Sequence, residues 1–207
     1  KVWPNVFPDV VLDKDEIPEG LMSHLRYPED MFKSQRFQFA RYHVTDPKDW
    51  YAGNNRWEVP DDPSVKNSLQ PPYRLFVNPQ GEPGAATDQE WSLTSVYVPR
   101  GKNNLAAFMS VNSDASSDSY GSMQVLELSD ERTDGPALVA NKIGADEDVR
   151  DEIFSFPQGG IEPQYGNLLT LPVGDGLMYV QPLYARRDSS ESSYPILSFV
   201  LVAYGDK

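Results

Sequence analysis

Apolar and polar positions follow two different periods along this chain, and the changes of period divide it into segments. Over 28–44 the period is helical, because Pro28 suits a first helical position and Phe32 and Phe39 fall on one face. Acidic residues directly after the proline favour the positive amino end of a helix. We therefore predict that 20–56 is mainly helical.

A period of two marks the strands. Alternating or continuous apolar runs predict strands within 73–128 and again within 166–205, where glycines at 174 and 176 suit the reversal of a hairpin. In 196–204 both alternating sets of side chains are apolar, which is typical of a central strand covered on both faces. These runs predict an antiparallel sheet.

The remaining segments complete an α+β fold. Three prolines within 1–19 predict an extended arm, and 136–156 carries the pattern of short helices. The stretch 186–193 is a polar excursion. We predict a single domain over 1–207, mainly antiparallel β-sheet with an N-terminal helix and short helices packed on it.

Composition excludes several classes of function. The chain has 31 Asp and Glu against 18 Lys and Arg, and its formal net charge of −13 repels nucleic acids and anionic lipid surfaces. It has no cysteine, which excludes disulfides, thiolate catalysis and Cys-ligated zinc. No apolar run approaches the roughly 18 to 20 residues that span a bilayer. The chain starts without methionine, which favours a soluble domain excised from a larger protein.

Seven motifs, most of them rich in aromatic residues and proline, follow one another in a specific order. The two longest are His-Leu-Arg-Tyr-Pro-Glu-Asp-Met-Phe-Lys-Ser-Gln at 24–35 and Tyr-Gly-Asn-Leu-Leu-Thr-Leu-Pro-Val at 165–173. Between them lie Ala-Arg-Tyr-His-Val-Thr-Asp-Pro at 40–47, Trp-Glu-Val-Pro-Asp-Asp-Pro at 57–63, Gln-Pro-Pro-Tyr at 70–73, Leu-Thr-Ser-Val-Tyr-Val-Pro at 93–99 and Asn-Leu-Ala-Ala at 104–107. In this order the motifs resemble the extracytoplasmic domain of the UPF0182 family of uncharacterised bacterial integral membrane proteins.

The resemblance covers most of the chain, and it implies a location without implying a reaction. Proteins of that family have transmembrane helices followed by a large domain outside the membrane. The resemblance therefore implies an extracytoplasmic domain at the cell membrane, whose partner is the membrane-spanning part of the same polypeptide. It implies no catalytic residue, and we predict no cofactor.

The segment 112–120 places oxygen donors at every second position, as calcium loops do. The candidate metal ligands are Asn112, Asp114 and Asp118. The segment departs from the EF-hand pattern, because Ser117 stands where the sharp turn needs glycine and Met123 where it needs a bidentate glutamate. A polar loop between two strands is the favoured interpretation.

Acidic and aromatic residues are densest at 57–63. Paired carboxylates beside aromatic rings cleave sugars in glycosidases, so the candidate catalytic residues of an envelope glycan hydrolase are Glu58, Asp61 and Asp62. Neighbours in sequence rarely supply both carboxylates at the required separation, however. Acids beside Pro60 and Pro63 more often stabilise turns.

Arginines are the candidate cations for a ligand. Arg41 and Arg74 are candidates for binding an anionic envelope ligand, and Trp57 is a candidate aromatic contact, although pairing with the surplus carboxylates is the simpler explanation. We predict a non-catalytic domain for ligand recognition or assembly at the cell envelope, with an envelope protein, lipid or glycan as partner. The glycan hydrolase is the alternative.

Overall fold

The computed structural model describes residues 2–11, 13–77, 89–128, 132–174, 176–187 and 194–205. The α-helices within these ranges are α1 (Trp3–Val6), α2 (Glu19–Met22), α3 (Glu29–Tyr42), α4 (Pro47–Ala52), α5 (Pro136–Ala145) and α6 (Glu147–Gln158). The strands are β1 (Trp57–Glu58), β2 (Tyr73–Val77), β3 (Glu90–Pro99), β4 (Ala107–Asn112), β5 (Met123–Glu127), β6 (Ile161–Tyr165), β7 (Leu169–Val173), β8 (Gly176–Arg187) and β9 (Ile196–Tyr204). The predicted α+β fold class is confirmed.

The predicted extended arm over 1–19 is wrong in its local conformation. The described part of this segment contains α1, a 3-10 turn at Lys14–Glu16 and the start of α2. Proline at the first or second helical position is compatible with such turns, because its missing N–H would be unpaired there anyway. Most of the predicted polar excursion, 188–193, lies outside the described residues.

The strands form two antiparallel sheets instead of the one sheet that the periodicity predicts. In the first sheet β3 pairs with β4 on one side and with both β1 and β2 on the other, and β5 follows β4. In the second sheet β8 is central: β6 and β7 pair with one of its edges and β9 with the other. The predicted hairpin between β7 and β8 is confirmed, with Val173 opposite Gly176.

Strand β9 is an edge strand among the described residues, so its prediction as a central strand covered on both faces is wrong. Its side chains at Val200 and Val202 are 54% and 56% exposed. The apolar run correctly indicated a strand, but a run of this kind does not report which neighbours the strand has.

Two apolar clusters lie on opposite faces of the first sheet. The first is formed by α3 and the odd-numbered side chains of β3 and β4, including Phe32, Leu93 and Tyr97. The second joins even-numbered side chains of the same strands, such as Val96 and Phe108, to α5 and to β8. The first sheet is therefore covered on both faces, which explains why β4 is buried along its whole length.

A buried arginine connects α3 to the first sheet. Arg36 donates hydrogen bonds from Nη1 to the Gln70 carbonyl and to Ser95 Oγ, both at 3.0 Å, and its own carbonyl accepts one from Tyr97 Oη at 2.9 Å. Burial lowers the pKa of Arg36 and raises that of Tyr97. No carboxylate among the described residues pairs with this guanidinium, so neutral oxygens set the position of α3 on the sheet.

Gly135 provides a test of the packing between α5 and the β3–β4 turn. A Cβ added at Gly135 would lie 2.4 Å from the backbone carbonyl oxygen of Asn103. This oxygen cannot move away freely, because it accepts a hydrogen bond from the Gly135 N–H at 3.0 Å. We expect Gly135→Ala to lower the free energy of unfolding by at least about 1–3 kcal/mol. Chemical denaturation measures this loss.

The matched control, Gly144, lies in α5, the helix that Gly135 precedes as its N-cap. A Cβ at Gly144 would meet nothing within 4 Å, and this residue is exposed. Gly144→Ala is expected to raise the free energy of unfolding by about 0.5–1 kcal/mol, because alanine restricts the unfolded chain and favours helix. Changes of equal sign at the two positions would contradict the packing described here.

Candidate functional site

A cleft of about 560 Å³ opens between α3, β1, the β3–β4 turn and the start of α5. We call it the basic cleft, and its charged lining residues are Arg41, Arg56, Glu58, Asp61, Arg100 and Lys102. Its apolar walls include Phe37, Trp57, Val59, Pro60 and Leu69.

The pairing of β1 with β3 assembles the basic cleft. Trp57 lies opposite Pro99 and Glu58 opposite Val98, so residues on either side of β1 meet the turn that follows β3. The Arg100 N–H donates to the Arg56 carbonyl at 2.9 Å. This register places Arg56 and Arg100 at one end of the cleft although 44 positions separate them in the sequence.

Glu58 fixes the conformation of that turn. Its Oε1 accepts a hydrogen bond from the Gly101 N–H at 3.0 Å, and Gly101 has a φ of +72°, a conformation that glycine adopts at little cost. The turn therefore carries the side chains of Arg100 and Lys102 in a defined position beside Glu58.

The cleft has a local excess of positive charge in an acidic protein. Its four cations face two carboxylates, whereas the whole chain has 18 basic and 31 acidic residues. Arg41, Arg100 and Lys102 are exposed, and none of them forms an ion pair with another described residue. These cations are therefore available to an anionic group that enters the cleft.

Two of the cleft's arginines lie against aromatic rings. The Arg41 guanidinium carbon is 4.3 Å from the centroid of Phe37, and that of Arg56 is 5.3 Å from Trp50, whose carbonyl also accepts a hydrogen bond from Arg56 at 2.9 Å. Such stacking holds a guanidinium in place without neutralising its charge.

The His43 ring packs against the Trp57 ring. The two rings stack with centroids 3.9 Å apart, and His43 Nδ1 lies 2.9 Å from the Phe39 carbonyl. His43 is thus a hydrogen-bonded, half-buried histidine that supports the aromatic wall.

The structure separates the three acids that the sequence grouped as catalytic candidates. Glu58 and Asp61 line the basic cleft, whereas Asp62 is buried and its Oδ1 accepts a hydrogen bond from the Ser64 N–H at 2.7 Å. Glu58 stabilises the turn at Gly101. Two of the three carboxylates are therefore engaged in turns, and the geometry gives the hydrolase alternative no support.

The predicted ligand-binding residues are also divided. Arg41 and Trp57 line the basic cleft, but Arg74 lies outside it and forms an ion pair with Glu29 at 3.1 Å. That pair contributes to lowering the pKa of Glu29, after the larger effect of the hydrogen bond from Lys33. The simpler explanation in the sequence analysis, pairing with surplus carboxylates, holds for Arg74.

The oxygens of the segment 112–120 bond mainly to one another and to the backbone. Asn112 Oδ1 accepts from the Asp114 N–H at 2.9 Å, and Asp114 Oδ1 accepts from both N–H and Oγ of Ser116. Asp118 is exposed. Within the described part of the chain, no group of three or more His, Asp or Glu residues is placed to hold a metal ion.

Glu90 gives this loop a pH dependence. Its Oε2 accepts a hydrogen bond from Asn112 Nδ2 at 2.5 Å, but burial still raises the pKa of Glu90 above its ordinary value of 4.5. A raised pKa in the folded state means that ionisation of Glu90 opposes folding. The free energy of unfolding that Glu90 contributes therefore decreases as the pH rises above 4.5.

We expect Glu90→Gln to raise the melting temperature at pH 7, because glutamine keeps an acceptor for Asn112 without a charge. The difference from wild type should shrink as the pH falls below 4.5, where Glu90 is protonated in both states. The exposed Glu152→Gln is the control, measured at the same pH values. A Glu90→Gln variant that is less stable at pH 7 would contradict this assignment.

Sequence reasoning missed Arg56, Arg100 and Lys102. The only signal available was that these residues are basic in a strongly acidic chain. Strand β1 has two residues, which is too short for a period of two to be recognised, so the pairing that brings these cations together was not predictable.

Residues 1–156 match UPF0182, an uncharacterised protein family. The chain is 59% identical over 206 residues to a UPF0182 protein of Nocardioides sp., 45% identical over 210 residues to one of Thermobifida fusca, and 42% identical over 207 residues to one of Streptomyces coelicolor. The alignments cover 99–100% of this chain and 20% of each relative. No solved structure matches the chain.

The matched relatives are therefore about five times as long as this chain. In the part of the chain that the structure describes, no helix combines the length and the apolar character needed to cross a membrane.

Proposed function

Because this chain belongs to the UPF0182 family, we propose that it is the ligand-recognition domain of a larger bacterial membrane protein and that it binds an anionic ligand in the basic cleft. The domain lies on the extracytoplasmic side in this proposal, and the membrane-spanning part of the same polypeptide is its permanent partner. The order of motifs between 24 and 173 supports that placement.

The observation that carries the proposal is the charge of the cleft. Four cations line it in a chain whose net charge is −13, and three of them have no ion pair within the described ranges. Unpaired cations that converge on one concavity gain most from an anionic partner, since hydrogen bonds between charged groups are the stronger ones. The acidic remainder of the surface would repel the same anion elsewhere.

The apolar wall narrows the class of ligand. Trp57 and Leu69 face the same volume as the cations, so the site suits an anion that also presents an apolar or sugar face. A phosphorylated or acidic envelope glycan or lipid headgroup has this combination. The role in this proposal is recognition, because unpaired cations beside an aromatic wall suit the binding of such a ligand.

The proposal is tested by native mass spectrometry of the full-length protein purified from its own cell envelope. We expect an anionic small molecule to remain bound to the wild-type protein. A variant that combines Arg100→Glu and Lys102→Glu should lose it, and one that combines Lys48→Glu and Arg150→Glu should keep it. Absence of any bound anion, or equal loss in both variants, would contradict the proposal.

A further inference from the structure

On one face of the second sheet, the part formed by β7, β8 and β9 carries apolar side chains. Two cross-strand rows run over β7, β8 and β9, and the register aligns Leu171 with Met178 and Tyr204, and Leu169 with Val180 and Val202. We call these six residues the open face. Pro182 and Val200 extend it by a further pair.

The side chains between these rows point to the opposite side, where the core lies. Leu201 and Ala203 pack against the cluster that contains α5, and Phe199 stacks on Phe156 of α6 with centroids 6.1 Å apart. The helices that touch this sheet therefore touch its inner side. On the open face, Val202 and Tyr204 remain 56% and 48% exposed.

A solvent-facing sheet would carry a different pattern. An antiparallel sheet with one wet face alternates apolar and polar side chains, and 24% of this chain is charged, so polar residues are not scarce. The two rows contain no charged side chain. Contiguous apolar surface of this kind marks an interface, since its exposure costs free energy in proportion to its area.

A second copy of the chain is a poor occupant for this surface. Each copy carries a net charge of −13, so two copies repel each other as they approach. Anionic lipid headgroups are repelled for the same reason. Charge repulsion of this kind need not apply to the rest of the intact polypeptide. In the relatives that remainder amounts to four-fifths of the chain.

We infer that another segment of the same full-length polypeptide, from outside residues 1–207, packs an apolar face on the open face. Such a segment is covalently attached, so its high effective concentration favours binding without the full cost of bimolecular association. In the intact protein β9 is then buried on both faces, which is the environment that its sequence pattern indicates.

Photo-crosslinking in the full-length protein tests this inference. A benzoylphenylalanine is introduced at Val202 in one variant and at Tyr204 in another, and the control carries it at Tyr51, which is 82% exposed. After irradiation, we expect the first two variants to give crosslinks within one polypeptide, at monomer mass, from the β9 peptide to a peptide outside 1–207. The Tyr51 control should give at least fivefold less.

Each other outcome would overturn the inference. Crosslinks that double the mass would identify a second copy as the occupant, and lipid adducts would identify a membrane surface. Crosslinks confined to residues 1–207, or yields at both positions no higher than that of the Tyr51 control, would show that no outside segment covers the open face. Two test positions are used so that one disruptive substitution does not decide the result.

Discussion

Phe32→Ala is expected to lower the free energy of unfolding of residues 1–207 by about 3–5 kcal/mol. Phe32 is 0% exposed and lies in the cluster between α3 and the first sheet. Its truncation removes the transfer free energy of a whole aromatic ring and leaves a cavity that the neighbouring strands cannot fill without moving. Because a domain of this size has a total stability of roughly 5–15 kcal/mol, this loss is a large share of it.

The control for this prediction is Phe154→Ala. Phe154 also lies in a helix, α6, but it is 72% exposed. Its truncation is expected to change the free energy of unfolding by less than about 0.5 kcal/mol. Urea denaturation followed by circular dichroism measures both variants. Similar losses at the two positions would mean that α3 does not pack on the first sheet as described.

The secondary structure was largely predictable because period and length carry most of the signal. Strand β9 covers 196–204, the apolar run that predicted it, and β2 at 73–77 begins where the first strand-forming segment was predicted to begin. Helix α3 begins after Pro28, because proline and the two acids that follow it favour a helix start. These features depend on neighbouring residues only.

The arrangement of the elements was less predictable. Nothing in the alternation distinguishes one sheet from two, and the covering of β9 depends on segments distant in sequence. The buried position of Arg36 is a similar case, because its partners at Gln70 and Ser95 come from other parts of the chain.

The candidate site was predictable only in part. The density of acids and aromatics at 57–63 drew attention to Trp57, Glu58 and Asp61, all of which line the basic cleft. The loop at 112–120 has visible oxygen spacing, but those oxygens accept hydrogen bonds within the loop, and the Asn112 amide nitrogen donates to Glu90. Spacing in sequence shows which atoms are near one another and does not show which of them are already paired.

Reversing the charge of the basic cleft should have the second large effect. The lining has four cations and two carboxylates, so the combined Arg100→Glu and Lys102→Glu substitutions change its formal balance from two positive to two negative charges. Each hydrogen bond to a charged group contributes about 1.5–3 kcal/mol, and removing two of them lowers the affinity for an anion at least about 100-fold.

A matched control separates this local effect from the change in total charge. Lys48→Glu and Arg150→Glu together alter the net charge by the same amount, and both residues are exposed on helices that do not line the cleft. The control should change the affinity by less than about threefold, because these two exposed cations are not in the lining of the cleft and exposed charges are screened at physiological salt. Melting temperatures of both variants verify that they fold.

Isothermal titration of the full-length protein with inorganic pyrophosphate tests whether the basic cleft is an anion site. We predict one pyrophosphate per chain, a dissociation constant that rises with salt concentration, an at least 100-fold weaker affinity after charge reversal at Arg100 and Lys102, and near wild-type affinity in the control at Lys48 and Arg150. No binding by the wild type, or an equal loss in both variants, would contradict the assignment of the cleft as the site of recognition.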